Sequence, residues 1–190
     1  MISGMTKRYL RKEVGSVNSQ ITLYEKSKTG HVFKNLYKRI ISRENIILAV
    51  RNIRQNSSSK TAGVDGVTIK DLEKIQIDEL VDMVHRELAN YKPKPVKRVF
   101  IPKSNGKLRP LGIPAITDRL IQTCILQVLE PICEGRFNEN SYGFRPDRSC
   151  HDALARTKQI IELGKNYYCV DVDIEGFLDN VDHNIFIREV

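Results

Sequence analysis

The residues with the plainest chemical potential lie near the end of the sequence. Between Tyr167 and Asn184, five carboxylates (Asp171, Asp173, Glu175, Asp179 and Asp182) sit in and after an apolar, β-prone run, Tyr-Tyr-Cys-Val-Asp-Val-Asp. If residues 167 to 173 form a strand, alternation puts Asp171 and Asp173 on one face. Carboxylates gathered where a strand ends repel one another unless a cation neutralises them. Mg²⁺ suits such a cluster, since it takes oxygen ligands and keeps positions open for substrate phosphates. Spacing alone allows a second reading equally well, a solvated turn in which Asp179 or Asp182 caps a helix starting at His183.

The opposite charge is concentrated upstream. The 190 residues carry a net charge of +8. Between Lys92 and Arg119 stand eight basic residues (Lys92, Lys94, Lys97, Arg98, Lys103, Lys107, Arg109, Arg119) and a single acid, Asp118. A strip of this kind favours a polyanion, because each phosphate contact releases condensed counterions. The alternative is a solvated face with no partner.

Hydrophobic residues make up 41% and charged residues 28% of the chain, the balance of a globular domain with a real core. No apolar run approaches a membrane span, and residues 1–20 lack the apolar core of a signal peptide, so the expected location is the cytosol with no membrane partner. The four cysteines, Cys124, Cys133, Cys150 and Cys169, form no Cys-x-x-Cys pair, and the four histidines are scattered. Buried thiols are therefore expected, rather than a zinc site or a disulfide framework.

The elements that must position these charges follow from periodicity and capping. Residues 1–30 are polar with weak periodicity, and a loosely ordered extension is expected there. Apolar residues from Val32 to Ile40 recur at three and four, predicting a helix over 31–41, and Ser42 is a good N-cap for a second with Ile46, Ala49, Val50 and Ile53 inward. Ala62-Gly63-Val64-Asp65-Gly66 predicts a tight turn. A third helix is expected from 69 or 71 to 90, interrupted near 76–78, until Pro93 and Pro95 force the chain out of it. Residues 96–101 and 108–113, joined by Pro102-Lys103-Ser104-Asn105-Gly106-Lys107, predict a β-hairpin with a cationic tip. Thr117 or Asp118 can cap a central apolar helix over 119–133. Residues 137–148 form a loop in which Tyr142 and Phe144 flank Gly143 beside Arg145, a grouping that can stack bases and hold phosphate or simply plug the core. Ser149 caps a last long helix ending at Gly164.

Several of these segments, in this order, resemble one family, the reverse transcriptases encoded by group II introns, also called maturases. The resemblance rests on Ala62-Gly63-Val64-Asp65-Gly66, Ile101-Pro102-Lys103 through Pro114, Asp118 to Gln122, Leu129-Glu130-Pro131-Ile132, Ser141-Tyr142-Gly143-Phe144-Arg145-Pro146 and Asp173 to His183. It covers residues 31–190. It implies an α+β fold in which residues 31–165 are the mostly helical fingers subdomain of a right-hand polymerase, with a basic β-hairpin at about 96–113, and residues 166–190 begin the palm with its first strand. Asp173 matches the first catalytic aspartate and would be a ligand of both of the enzyme's Mg²⁺ ions, with the carbonyl of Ile174 facing the metal. Lys103 and Arg109 match positions that grip the incoming deoxynucleoside triphosphate, and position 178 lies beneath its sugar. Lys97, Arg98, Lys107, Arg119, Arg145, Gly63 and Gly66 are the residues expected to meet nucleic acid. The implied partners are group II intron RNA, an RNA template with its DNA primer, and dNTP.

Two departures qualify the resemblance. The family usually has an aromatic residue at position 178, which excludes a 2′-hydroxyl; Leu178 stands there instead. The second paired-aspartate box does not occur within residues 1–190. The expectation is accordingly an N-terminal fragment of an RNA-directed DNA polymerase, inactive by itself and holding Mg²⁺ weakly or not at all. Apolar surface meant for the rest of the palm would favour homodimerisation. A reading from another class, a non-catalytic module that holds intron RNA, makes no demand on the acidic cluster.

Overall fold

The computed structural model describes residues 14–104, 106–177 and 180–189. The chain divides into two units, one of residues 1–141 with 145–147 and another of residues 142–144 with 148–190. The first unit contains α1 (Val14–Lys28), α2 (Leu36–Ile40), α3 (Arg43–Gln55), a 3-10 turn (Ser57–Lys60), α4 (Ile69–Leu72), α5 (Ile77–Ala89), β1 (Lys97–Pro102), β2 (Leu108–Ile113) and α6 (Ile116–Glu134). The second contains α7 (Cys150–Gly164) and α8 (His183–Glu189).

The core of the first unit is made where helical spacing predicts it. Ile46, Ala49 and Ile53 of α3, Leu80, Val81 and Val84 of α5, Ile69 and Leu72 of α4, and Ile116, Leu120 and Cys124 of α6 form one buried cluster. Helix α6 is central, packing against α1, α2, α3 and α5. Ser42 caps α3 as expected, its Oγ accepting from the Asn45 amide at 3.3 Å. The break between α4 and α5 lies near the expected site. Thr68 and Asp71 form a capping box over α4, and the Lys74 ammonium together with the amide and hydroxyl of Thr68 holds the Asp71 carboxyl down to about 2.

Four expectations are corrected. Residues 14–28 are not loose: they form α1, held on α6 by buried Leu23 and by polar side chains that periodicity does not count. Ser27 donates to the Ile132 carbonyl at 2.6 Å, and a Cβ added at Gly135 would stand 2.8 Å from Ser27 Cβ, so the helix end and α1 approach at glycine distance. The helix expected over 31–41 shrinks to Leu36–Ile40, because Asn35 takes a left-handed backbone through which a helix cannot continue, and Arg136 occupies the His31 carbonyl. Helix α6 is capped at Ala115 rather than at Thr117 or Asp118, which releases the Asp118 carboxylate for another use. Of the four thiols only Cys124 is buried, and that burial pushes it up to about 12.

The second unit departs most from expectation. Ser149 and Asp152 make the expected capping box at the start of α7, and the serine hydroxyl and amide lower the Asp152 pKa. Yet none of the residues of α7 is buried. The strand expected over 167–173 is not formed; β1 and β2 are the only sheet among the described residues. A strand gains its stability from a hydrogen-bonded neighbour, and none of the described residues pairs with this one. Asp182 accepts from the Asn184 and Ile185 amides, fulfilling the helix-capping alternative for that acid.

Candidate nucleic-acid interface

The basic hairpin is the best-built feature of the first unit. β1 and β2 pair antiparallel, Lys97 opposite Ile113, Val99 opposite Leu111 and Ile101 opposite Arg109. Side chains alternate across a sheet, so Lys97, Val99, Ile101, Arg109, Leu111 and Ile113 share one face, while Arg98, Phe100, Leu108 and Pro110 share the other. Lys97 and Arg98 thus serve opposite faces. The tip closes through Lys103, whose amide donates to the Lys107 carbonyl at 2.7 Å and whose carbonyl accepts from Gly106 at 3.0 Å. Gly106 supplies the positive φ of 77° that this turn needs. Its neighbour Asn105 is outside the described residues. Apart from half-covered Val99 and Ile113, the described residues of the ribbon are exposed on both faces. Lys97, Arg98, Lys103 and Arg109 make no ion pair among the described residues.

The base of the hairpin is fastened by residues whose roles were not foreseen. Asp118, only 4% exposed, accepts from the Tyr91 hydroxyl at 2.9 Å and from the Lys94 amide at 3.1 Å. Burial and this carboxylate together push the Tyr91 phenol up to about 12. The Lys94 ammonium is itself committed, reaching Asp65 Oδ2 at 3.1 Å. Burial raises the Asp65 pKa, but the Lys94 ammonium and the Val67 amide outweigh it and lower the pKa overall. Lys94 therefore drops out of the cationic strip. Gly63 is buried against the segment leaving the hairpin, where an added Cβ would meet Ala115 Cα at 2.8 Å and the Pro114 carbonyl at 2.9 Å. Its lack of a side chain is required by this packing. Gly66 is exposed with a φ of 72° and open space around it. Arg119 donates to the Thr61 carbonyl, tying α6 to the approach of the same turn.

Arg145 is also corrected. Its side chain is 5% exposed and faces inward onto Glu134. Nε stands 3.1 Å from both carboxylate oxygens, Nη1 donates to the Asn138 and Ser141 carbonyls, and the guanidinium lies 5.3 Å over the Phe137 ring. It holds the loop closed from inside and is not presented to phosphate. In the second unit Arg148 lies 5.2 Å over the Tyr142 ring. Sequence reasoning missed Glu134 as a partner, because nothing local in the sequence marks either this acid or the arginine eleven residues later as buried.

Asp173 and Ile174 belong to the second unit and are exposed. Asp173 Oδ1 accepts from the Ile174 amide at 3.0 Å. Among the described residues, no three His, Cys, Asp or Glu side chains gather into a metal-holding group. Asp173 offers the hard oxygen that Mg²⁺ prefers, one carboxylate of a donor set that takes several. Leu178 and Asp179 lie outside the described residues.

Residues 101–190 match the family model of "Reverse transcriptase (RNA-dependent DNA polymerase)". That match defines the class of the protein: it contains reverse transcriptase sequence, in a mixed helical fold with a two-stranded antiparallel sheet. Over 178 residues it is 36% identical to group II intron-encoded protein LtrA of Lactococcus lactis subsp. cremoris, covering 90% of this chain and 28% of that protein. It is 38% identical over 162 residues to protein YkfC of Escherichia coli K12, covering 83% of this chain and 42% of YkfC. An uncharacterized 91 kDa protein in the cob intron of Schizosaccharomyces pombe is 33% identical over 156 residues, covering 81% of this chain and 19% of that protein. The chain is a relative of group II intron-encoded reverse transcriptases, and it spans less than half the length of these relatives.

Proposed function

We propose that this chain supplies the fingers and the first catalytic carboxylate of an RNA-directed DNA polymerase that also assists the splicing of a group II intron. The hairpin carries the proposal. It projects Lys97, Arg98, Lys103 and Arg109 on an exposed ribbon with no internal acid to neutralise them, an arrangement that favours phosphate. Lys103 and Arg109 grip the dNTP triphosphate, the lysine as a mobile point charge and the arginine by forking two oxygens. Lys97, Arg98 and Lys107 bear on the template or the intron RNA, with Arg119 and Gly66 at the base. Asp173 and the Ile174 carbonyl hold Mg²⁺, which when bound supplies activation of the primer hydroxyl and neutralisation of the leaving pyrophosphate. The resemblance assigns position 178, Leu178 in this chain, to the sugar of the dNTP. The cytosol and a homodimeric state complete the reading.

The test has two arms. In the 190-residue chain, replacing Lys97, Arg98, Lys103 and Lys107 by alanine should weaken RNA binding and flatten its dependence on log salt by up to about 3, at roughly 0.7 per single-strand phosphate contact. Unchanged affinity and slope would remove the hairpin from the interface. In a chain extended with the second aspartate box, Asp173→Asn should abolish primer extension while leaving RNA affinity intact. RNA binding with no extension even in the unsubstituted extended protein would favour the non-catalytic RNA-holding module.

A further inference from the structure

A cleft of about 520 Å³ is lined by residues of α1, α2, α3 and α6 and contains no residue of the hairpin. Its size falls in the range of small-molecule sites. Lys34, Lys38 and Arg39 line it, against one carboxylate, Glu44. Lys34 and Lys38 make no ion pair among the described residues, and Arg39 donates to a neutral partner, Ser19 Oγ, at 3.2 Å. The lining is therefore cationic and open to an anion.

Gln20 lines the same cleft and is 5% exposed. Its amide nitrogen donates to the Gln127 carbonyl at 3.0 Å, which fixes the orientation, because turning the amide over would set oxygen against oxygen. Among the described residues, Oε1 is then left buried without a donor. Gln127 cannot turn to supply one, since its own amide nitrogen is committed to Asn45, at 3.0 Å to the carbonyl and 2.8 Å to Oδ1. A buried acceptor left unmatched is rare and destabilising. Cations that seek phosphate and a buried oxygen that seeks an N–H or O–H together describe a ligand with both groups.

We propose that this cleft binds a nucleoside 5′-phosphate, with phosphoryl oxygens on Lys34 and Lys38 and an amino or hydroxyl group of the base or ribose donating to Gln20 Oε1. The same chemistry is offered by a free mononucleotide and by the 5′-phosphorylated end of an RNA strand. Isothermal titration of the whole 190-residue chain with adenosine and guanosine 5′-monophosphate, and with an RNA tetranucleotide bearing either a 5′-phosphate or a 5′-hydroxyl, separates these sources. The expected result is saturable one-to-one binding of a mononucleotide, or of the phosphorylated tetranucleotide in preference to its 5′-hydroxyl form. Lys34→Ala/Lys38→Ala should weaken it at least about tenfold, and Lys103→Ala/Arg109→Ala should leave it unchanged. Gln20→Met should weaken the mononucleotide but not inorganic phosphate. The lysine pair lies on the surface, so its variant keeps the test valid if Gln20→Met fails to fold. Absence of saturable binding by either probe, binding that survives loss of both lysines, or binding lost with the hairpin cations would overturn the proposal.

Discussion

A single guanidinium shows how side chains of one type divide between internal and external work in this protein. Arg145 is buried against Glu134 and two carbonyls, so Arg145→Ala leaves a buried carboxylate unpaired and should cost about 3–5 kcal/mol in denaturant unfolding. Arg145→Lys should recover little of this, because a point charge cannot fork two carboxylate oxygens while donating to two carbonyls. A loss in either variant below about 1 kcal/mol would contradict the clamp. Tyr91 gives a pH signature. Its pKa rises from 10.0 to about 12 on folding, so the unfolded phenol ionises first. Its contribution is therefore full below pH 10 and is lost as pH rises through 12. The difference in unfolding midpoint between the wild type and Tyr91→Phe should shrink across that window, and a constant difference would contradict the assignment. Neither role was visible in the sequence, since a buried arginine and an exposed one have the same letter and the same neighbours.

Elements were legible where one face of a periodic pattern meets the core. Helices α3 and α5, the break before α5, the hairpin and the Ser149 cap were all readable, because each depends on neighbours within a few residues. Helix α1 was not, since its hold on α6 comes from Gln20 and Ser27 meeting residues more than a hundred positions away, beside buried Leu23. The strand expected over 167–173 failed for a related reason: β propensity needs a paired neighbour before it becomes structure. The turn at residues 62–66 was located correctly, but the packing demand on Gly63 was not foreseen. Gly63 is needed for backbone approach to Pro114 and Ala115, so Gly63→Ala should cost about 1–3 kcal/mol through overpacking. Gly66→Ala, at a positive φ with open space around it, should act through backbone strain alone. Melting the two variants with and without RNA separates packing from contact: if Gly63→Ala lowered RNA affinity at unchanged stability, the glycine would return to the interface.

For the whole molecule, the two units differ in what holds them. The first has one contiguous apolar cluster, whereas α7 buries nothing and leaves Leu154, Ile160, Ile161 and Leu163 exposed. Hydrogen exchange should follow that division, with the slowest amides in α3, α5 and α6 and much faster exchange through α7 and residues 165–177. Equal protection in both units would show that the second has a core of its own. The candidate site divides in the same way. The cationic part was readable in the sequence because charge density and an Asn-Gly turn are local signals. The acidic residues could be located in the sequence as well, but whether their carboxylates meet depends on chain segments far apart.

The fastening at Asp118 has a mechanical consequence. One carboxylate holds the segment approaching the hairpin by the Lys94 amide and the Tyr91 hydroxyl while riding on the first turn of α6. Six residues of β1, at roughly 3.3 Å each, give an arm of about 20 Å beyond that footing. A small tilt of α6 would swing the far end through several times the displacement at its root, making the ribbon a lever that pivots about this buried acid and the packing of Gly63 beside it.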